Sequence, residues 1–188
     1  MTVKDRLARY HAKRHRSRTP EPYDSGGRRG GGPIFVLQRH AAGTLHFDFR
    51  LEIGGVLVSW SIPKGPSLNP SERRLGIRTE DHPMEYARFE GRIPKGEYGA
   101  GTVIVWDIGA YELLNDEPAE KALAAGHLKV RLHGERLSGD FSLIRTGIDG
   151  QEQWLLIKKN DEAADRRRKP AKTQRESVLT GRTNKDLE

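Results

Sequence analysis

From Thr44 to Leu51 the chain alternates strictly, with Leu45, Phe47, Phe49 and Leu51 apolar and His46, Asp48 and Arg50 polar between them. Successive side chains of a strand point to opposite faces, so this octet predicts a strand with one buried face and one face of chemically active groups. The same reading places short strands at Ile34–Arg39, Thr44–Ile53, Val56–Ile62, Arg74–Glu80, Gly101–Asp107, Gly109–Leu114, His127–Leu132, Gly139–Ile144 and Trp154–Lys158. Gly54-Gly55 between two of these runs is a hairpin signal, and Gly134 and Gly150 mark further turns. Helical spacing is confined to residues 3–13 and to Glu117–Ala125. Many short strands without a βαβ rhythm predict a mainly β protein, an antiparallel barrel or sandwich, with one or two short peripheral helices.

At 188 residues the chain has room for one domain with a real core and for tails. Three segments are expected: a basic N-terminal arm and glycine-rich connector over 1–33, a β body over 34–160, and a basic tail or interdomain linker over 161–188. Charge divides the same way. Residues 1–30 carry nine Lys/Arg against three Asp/Glu and residues 158–188 ten against six, whereas residues 31–157 carry fourteen against seventeen. Basic ends of this kind neutralise nucleic-acid phosphates or simply solvate the chain. The longest apolar runs, Thr102–Trp106 and Trp154–Ile157, are strand-sized, far short of the roughly 20 residues of a membrane helix. No cysteine is present, which excludes disulfides and zinc–thiolate sites and fits a reducing cytoplasm.

The polar face changes the picture most. Solvated strand faces are mostly Thr, Lys, Glu and Ser; here His46 and Asp48 stand beside Arg50, with His40 six residues before His46. Two imidazoles and a carboxylate form a ligand set for Mn, Zn or Fe, and an arginine one pleat further on can grip an anion at that metal. Phosphate chemistry is the natural expectation. A second cluster, Arg73 to Tyr86, places Arg74, Arg78 and His82 at one parity, with Pro83 ending the strand. His82 there would donate to a phosphate oxygen or protonate a leaving group, although a lone His-Pro is more often structural. The glycines of Ile93–Asp107 read as a tight corner leading into a core strand rather than a phosphate cradle.

Taken together, Phe35–Glu52, Ser59–Ser67, Glu80–Tyr86 and Phe89–Gly101 resemble the phosphoesterase domain of bacterial DNA ligase D, which also occurs as a stand-alone protein. The resemblance implies a compact closed β-barrel with a manganese-supported site, other divalent transition metals being possible. It implies a 3'-end-healing enzyme of non-homologous end joining that removes 3'-terminal ribonucleotides and 3'-phosphates to leave 3'-OH. By position, His40, His46 and Asp48 would hold the metal. Arg50, Arg74 and His82 would bind the phosphate with Tyr86, and Lys64 would add an accessory contact. Arg14 and Glu21, in a segment similar to the family's leader, would support diester cleavage, although His15 stands where an acidic residue is expected. Nucleic acid 3' ends would be the partner, with ligase or polymerase domains or end-joining proteins beside it, and the location would be the cytoplasm, at the nucleoid. Two other classes use part of this pattern: a non-catalytic nucleic-acid-binding barrel and a cupin-like metal oxygenase.

Overall fold

The computed structural model describes residues 1–24 and 31–188. Most of the expected glycine-rich connector, residues 25–30, lies outside the described residues. Among the described residues nine strands form: β1 Ile34–Ala41, β2 Leu45–Ile53, β3 Val56–Ile62, β4 Arg74–Arg78, β5 Gly91–Ile93, β6 Gly101–Leu113, β7 His127–His133, β8 Ser138–Asp149 and β9 Gln151–Lys158. They run in the order β1-β2-β3-β4-β9-β8-β7-β6, and β6 pairs back to β1, closing an antiparallel barrel of eight strands with β5 added on the flank of β6. This is the closed barrel that the family resemblance implies, and it decides between the barrel and the sandwich that the strand pattern leaves open.

Alternation builds the two faces. Phe47, Phe49, Leu51 and Ile53 of β2 fill the lumen with Trp60, Trp106 and Trp154, and Trp60 meets Trp154 edge-on at 5.5 Å. His46, Asp48 and Arg50 therefore point outward. Gly54 and Gly55 turn the β2–β3 hairpin with φ of 63° and 82°, the left-handed pair that a two-residue hairpin loop demands.

The outer face near β1 and β6 is itself covered, by a second apolar cluster of Tyr10, Val36, Leu57, Tyr86, Ala87, Phe89, Ile93, Val103 and Val105. Burial on both faces explains why Thr102–Trp106 reads as an unbroken apolar run. It also corrects one expected boundary: the two strands predicted on either side of Ile108 are a single β6. Gly109 does not end that strand; a Cβ there would lie 2.1 Å from the His133 carbonyl oxygen, so glycine permits close approach of two backbones.

The ends are less free than their charge implies. The predicted helix over 3–13 is two short ones, Val3–Arg6 and Ala8–Ala12, and Leu7 and Tyr10 are buried against the barrel. The C-terminal segment, expected as a tail or linker, lies along β6: Val178 N–H donates to Val105 O at 3.0 Å, Trp106 Nε1–H to Gln174 O at 2.8 Å, and Asn184 Nδ2 to Thr102 O at 2.8 Å. Among the described residues no helix is long and apolar enough to cross a membrane.

Candidate active site

The β1–β2 register sets His40 directly opposite His46, and Gln38 opposite Asp48. On the outer face this gathers His40, His46 and Asp48 so that one ligand atom from each lies within 4.8 Å of the others. Each imidazole is oriented through its other nitrogen. His40 Nε2–H donates to Gly99 O at 2.7 Å, and His46 Nδ1–H donates to Thr44 O at 3.2 Å. That leaves His40 Nδ1 and His46 Nε2 facing the Asp48 carboxylate at 3.5 and 3.4 Å, where each donates to the carboxylate when protonated and would offer its lone pair to a bound cation when not. The donor set and its carbonyl supports fit a divalent transition metal.

Across a cavity of about 290 Å³ stands the cationic wall. Arg50 is 2 % exposed, and its guanidinium is fixed at three points: Nε donates to Gln38 Oε1 at 2.8 Å, Nη1 to Ser59 Oγ at 2.8 Å, and Nη2 faces Asp48 Oδ2 at 3.5 Å. His82 is held by a backbone bridge to Leu57. Its Nδ1–H donates to the Glu80 carbonyl oxygen at 2.9 Å, which leaves Nε2 an acceptor 3.4 Å from Arg14 Nη2. Arg14 is buried too, pairing Glu21 at 3.0 Å and Glu80 at 3.2 Å. The Tyr86 hydroxyl donates to Glu21 at 2.7 Å, and Lys13 reaches Glu80 at 2.9 Å. The N-terminal segment is thus a wall of the pocket rather than a solvated arm.

Electrostatics follow from this crowding. Burial alone would raise Asp48, but Arg50 and hydrogen bonds from His40 and His46 outweigh it and hold the carboxyl well below its ordinary range. Burial, reinforced by Arg50 and Arg14, drives His82 well below its ordinary 6.5, favouring the neutral ring. Burial and the adjacent Glu21 raise Tyr86, keeping its hydroxyl a donor.

A pH test follows. The unfolded chain takes up a proton at His82 below about 6.5 that the folded chain refuses, so the His82 contribution to stability is lost as pH falls from 6.5 toward the folded value. Glu80 acts in the same direction but lower: Lys13 and Arg14 overcome its burial and hold it beneath 4.5, so its stabilisation is present above 4.5 and lost as pH falls through the folded value. His46 has the opposite sign, because its Asp48 bond outweighs burial and raises it above 6.5. The stabilities of wild type and His82→Gln, read from melting curves at each pH, are therefore expected to converge as pH drops from 7 to 5, by at most about 1.4 kcal/mol per pH unit. A constant gap between the two curves would contradict the neutral, buried His82.

Of the residues expected from sequence, His40, His46, Asp48, Arg50, His82, Tyr86 and Arg14 line this one cavity, and Glu21 supports it from behind. Two do not join. Arg74 shares parity with Gly76, whose absent Cβ would lie 2.9 Å from Ile62 Cδ1, and with Arg78, which lies 5.9 Å from the Trp60 ring. That is the lumen side of β4, and Arg74 pairs there with Glu72 at 2.7 Å. Arg74 and Arg78 do share a face, but β4 ends at Arg78, so that parity does not carry on to His82. Lys64 is exposed in the turn after β3, outside the cavity. His15 Nδ1 pairs with Glu97 at 3.1 Å at the surface. Sequence reasoning missed Gln38, Ser59, Glu80 and Tyr98. Gln38 left a signal: an uncharged polar residue directly after the apolar run Ile34–Leu37, at the parity of His40.

A family profile described as the DNA Ligase D 3'-phosphoesterase domain matches residues 38–145. The chain is 48 % identical over 182 residues to the multifunctional non-homologous end joining protein LigD of Pseudomonas aeruginosa, an alignment that covers 94 % of this chain and 21 % of that protein. It is 51 % identical over 156 residues to the multifunctional non-homologous end joining DNA repair protein LigD of Mycobacterium tuberculosis, covering 81 % of this chain and 20 % of the relative. The LigD protein of Mycolicibacterium smegmatis is 41 % identical over 165 residues, covering 85 % and 21 %. The chain thus spans about a fifth of the length of the curated relatives it matches. The profile match covers more than half of the sequence and takes in His40, His46, Asp48, Arg50 and His82, so the chain belongs to the DNA ligase D 3'-phosphoesterase domain family.

Proposed function

We propose that this chain is a manganese-dependent phosphoesterase of DNA repair that heals nucleic acid 3' ends, removing 3'-phosphates and 3'-terminal ribonucleotides to leave 3'-OH for end joining. The observation that supports it best is the facing pair: a His40/His46/Asp48 set whose lone pairs are oriented by backbone carbonyls, opposite an arginine fixed by Gln38 and Ser59. His40 Nδ1, His46 Nε2 and the Asp48 carboxylate would hold Mn²⁺ or a similar divalent ion, which supplies Lewis-acid polarisation of a phosphoryl oxygen. An oxygenase would need the two imidazoles and the carboxylate but has no use for a buried guanidinium beside them. A mere nucleic-acid binder would need neither.

The chain's own groups do the rest. Arg50 receives the nonbridging oxygens in a site already organised for negative charge, so little reorganisation accompanies the transition state. The Arg14 guanidinium, carried between Glu21 and Glu80, adds a second cation on the far side. His82 Nε2 is neutral until an anion arrives; the substrate's charge offsets Arg50 and Arg14 and favours proton uptake there. That proton is placed to pass to the oxygen that leaves phosphorus as water adds. The substrate is a 3' end on primer–template nucleic acid, and end-joining proteins are the partners of such a step.

The test is phosphate release from a 3'-phosphate oligonucleotide in the presence of a chelator. Release is expected to stop when the divalent ion is removed and to return with added Mn²⁺. Undiminished release after exhaustive chelation would remove the metal from the reading, and no release with any divalent ion would remove the enzyme. A primer ending in one ribonucleotide, set against an all-deoxy primer, checks the diester step; equal shortening of both would reject ribose-directed cleavage.

A further inference from the structure

We propose that Tyr98 is the stacking platform for the nucleobase of the 3'-terminal nucleotide, an assignment that rests on the phosphoesterase reading above. Tyr98 is 46 % exposed, and among the described residues it is the one exposed aromatic side chain. Every Trp and Phe and three of the other tyrosines are buried, while Tyr23 stacks on His11 at 4.3 Å. An exposed ring in a chain that hides its others calls for an explanation, and its place supplies one: Tyr98 stands on the rim of the phosphate cavity.

The ring is held, not loose. Lys13 Nζ donates to its hydroxyl at 3.2 Å and lies 4.4 Å from the ring centroid, while Arg14 lies 5.4 Å from it. Lys13 is itself anchored on Glu80. Gly96 and Gly99, with φ of 92° and 76°, bend the turn that carries Tyr98, and the turn is closed by Glu97 N–H to Pro94 O and Ala100 N–H to Glu97 O, each at 3.1 Å. The next carbonyl, Gly99 O, is the acceptor that orients His40. Ring and ligand set are thereby tied to one short rigid turn, and the ring keeps a fixed offset from the phosphate position. Around it the cavity carries charged or hydroxylic groups such as Arg14, Asp48, Arg50, Ser61 and Thr79; its apolar lining residues are the small Ala42 and the buried Ile93, so Tyr98 is the exposed ring at the rim. A base attached to a seated phosphate finds its apolar face at Tyr98.

Stacking on an aromatic face is tolerant of base identity, because every base has a π-face. The enzyme would accept any terminal base and still require that one be present. The experiment uses the full chain with 3'-phosphate oligonucleotides whose terminal nucleotide is normal, 2-aminopurine or abasic. With Mn²⁺, Tyr98→Ala is expected to raise KM on the base-bearing substrate about tenfold, with kcat within about twofold, and Tyr98→Phe to match wild type. On the abasic substrate wild type and Tyr98→Ala are expected to share the same high KM. With chelator present, wild type but not Tyr98→Ala is expected to quench the terminal 2-aminopurine on binding.

A loss in Tyr98→Ala that is equal on base-bearing and abasic substrates, or a loss confined to kcat, would overturn the stacking role and leave Tyr98 a support for the turn. Unchanged kinetics would overturn it as well. In each case wild type still turns over and the phosphoesterase reading stands; a wild type that releases no phosphate from any of the three substrates overturns that reading instead.

Discussion

Asp48→Ala is expected to abolish divalent-metal binding and to lower phosphate release by at least about 10³-fold, while the barrel remains folded. The carboxylate sits between His40, His46 and Arg50 and is the anionic member of the set. Each of its neighbours keeps another partner when it is gone: His40 keeps Gly99 O, His46 keeps Thr44 O, and Arg50 keeps Gln38 and Ser59. The lumen side of β2, Phe47 and Phe49, is untouched. Lost hydrogen bonds of this kind cost roughly 1–3 kcal/mol, and a chain of this size loses about 2–4 °C in Tm for each kcal/mol. Calorimetric titration with Mn²⁺, a phosphate-release assay and a melting curve together decide it. A well-folded D48A that hydrolyses at the wild-type rate in manganese would show that Asp48 is no ligand. His40→Ala and His46→Ala are expected to fail in the same titration, because a three-ligand protein site has no member to spare.

Arg50→Lys keeps the charge and is still expected to lower kcat/KM by about 10²–10³, or roughly 3–4 kcal/mol of transition-state stabilisation. The reason is shape. A guanidinium satisfies Gln38 through Nε and Ser59 through Nη1 while presenting Nη2 toward Asp48 and the cavity. An ammonium is a point donor that cannot keep those three directions at once. Gln38 Oε1 would also lose its Arg50 donor, while Gln38 Nε2 stays tied to Tyr86 O at 2.9 Å and Phe89 O at 3.0 Å. Activity within tenfold of wild type would mean that Arg50 acts by charge alone.

How much of this was legible follows from how local each signal is. The outward row of β2 was readable because a strand with a filled lumen must alternate, and Phe47 and Phe49 declare which side is inside. His40 was readable because its hairpin turn is short. The place of Arg74 outside the cavity was not legible, because parity says that two residues share a face without saying which face; the deciding residue is Gly76, whose lack of a side chain makes room for Ile62 and marks the lumen. The N-terminal wall was hidden for a different reason. Nothing in a run rich in Lys and Arg announces that Arg14 is sandwiched between Glu21 and a carboxylate 66 residues away, and only the family resemblance pointed to it. Gln38 and Ser59 are second partners of Arg50, visible once a guanidinium needs holding. Tyr98 sat in a glycine-rich corner that reads as architecture.

The ligand set has one further property, which concerns time. His40, His46 and Asp48 all lie in the single β1–β2 hairpin, whereas the facing wall of the cavity draws on Arg14, His82 and Tyr86, and the Gly99 carbonyl reaches His40 only through the turn that leads into β6. Hairpins form in about 1–10 μs, while pairings distant in sequence wait on costly loop closure. On a ribosome, with the N-terminal end emerging first, residues 40–48 are complete well before residue 82 leaves the tunnel. The order of assembly therefore runs from the hairpin that gathers His40, His46 and Asp48 to the closed barrel that completes the cavity, and on the proposed reading a nascent or partly opened chain would meet metal before it could meet substrate.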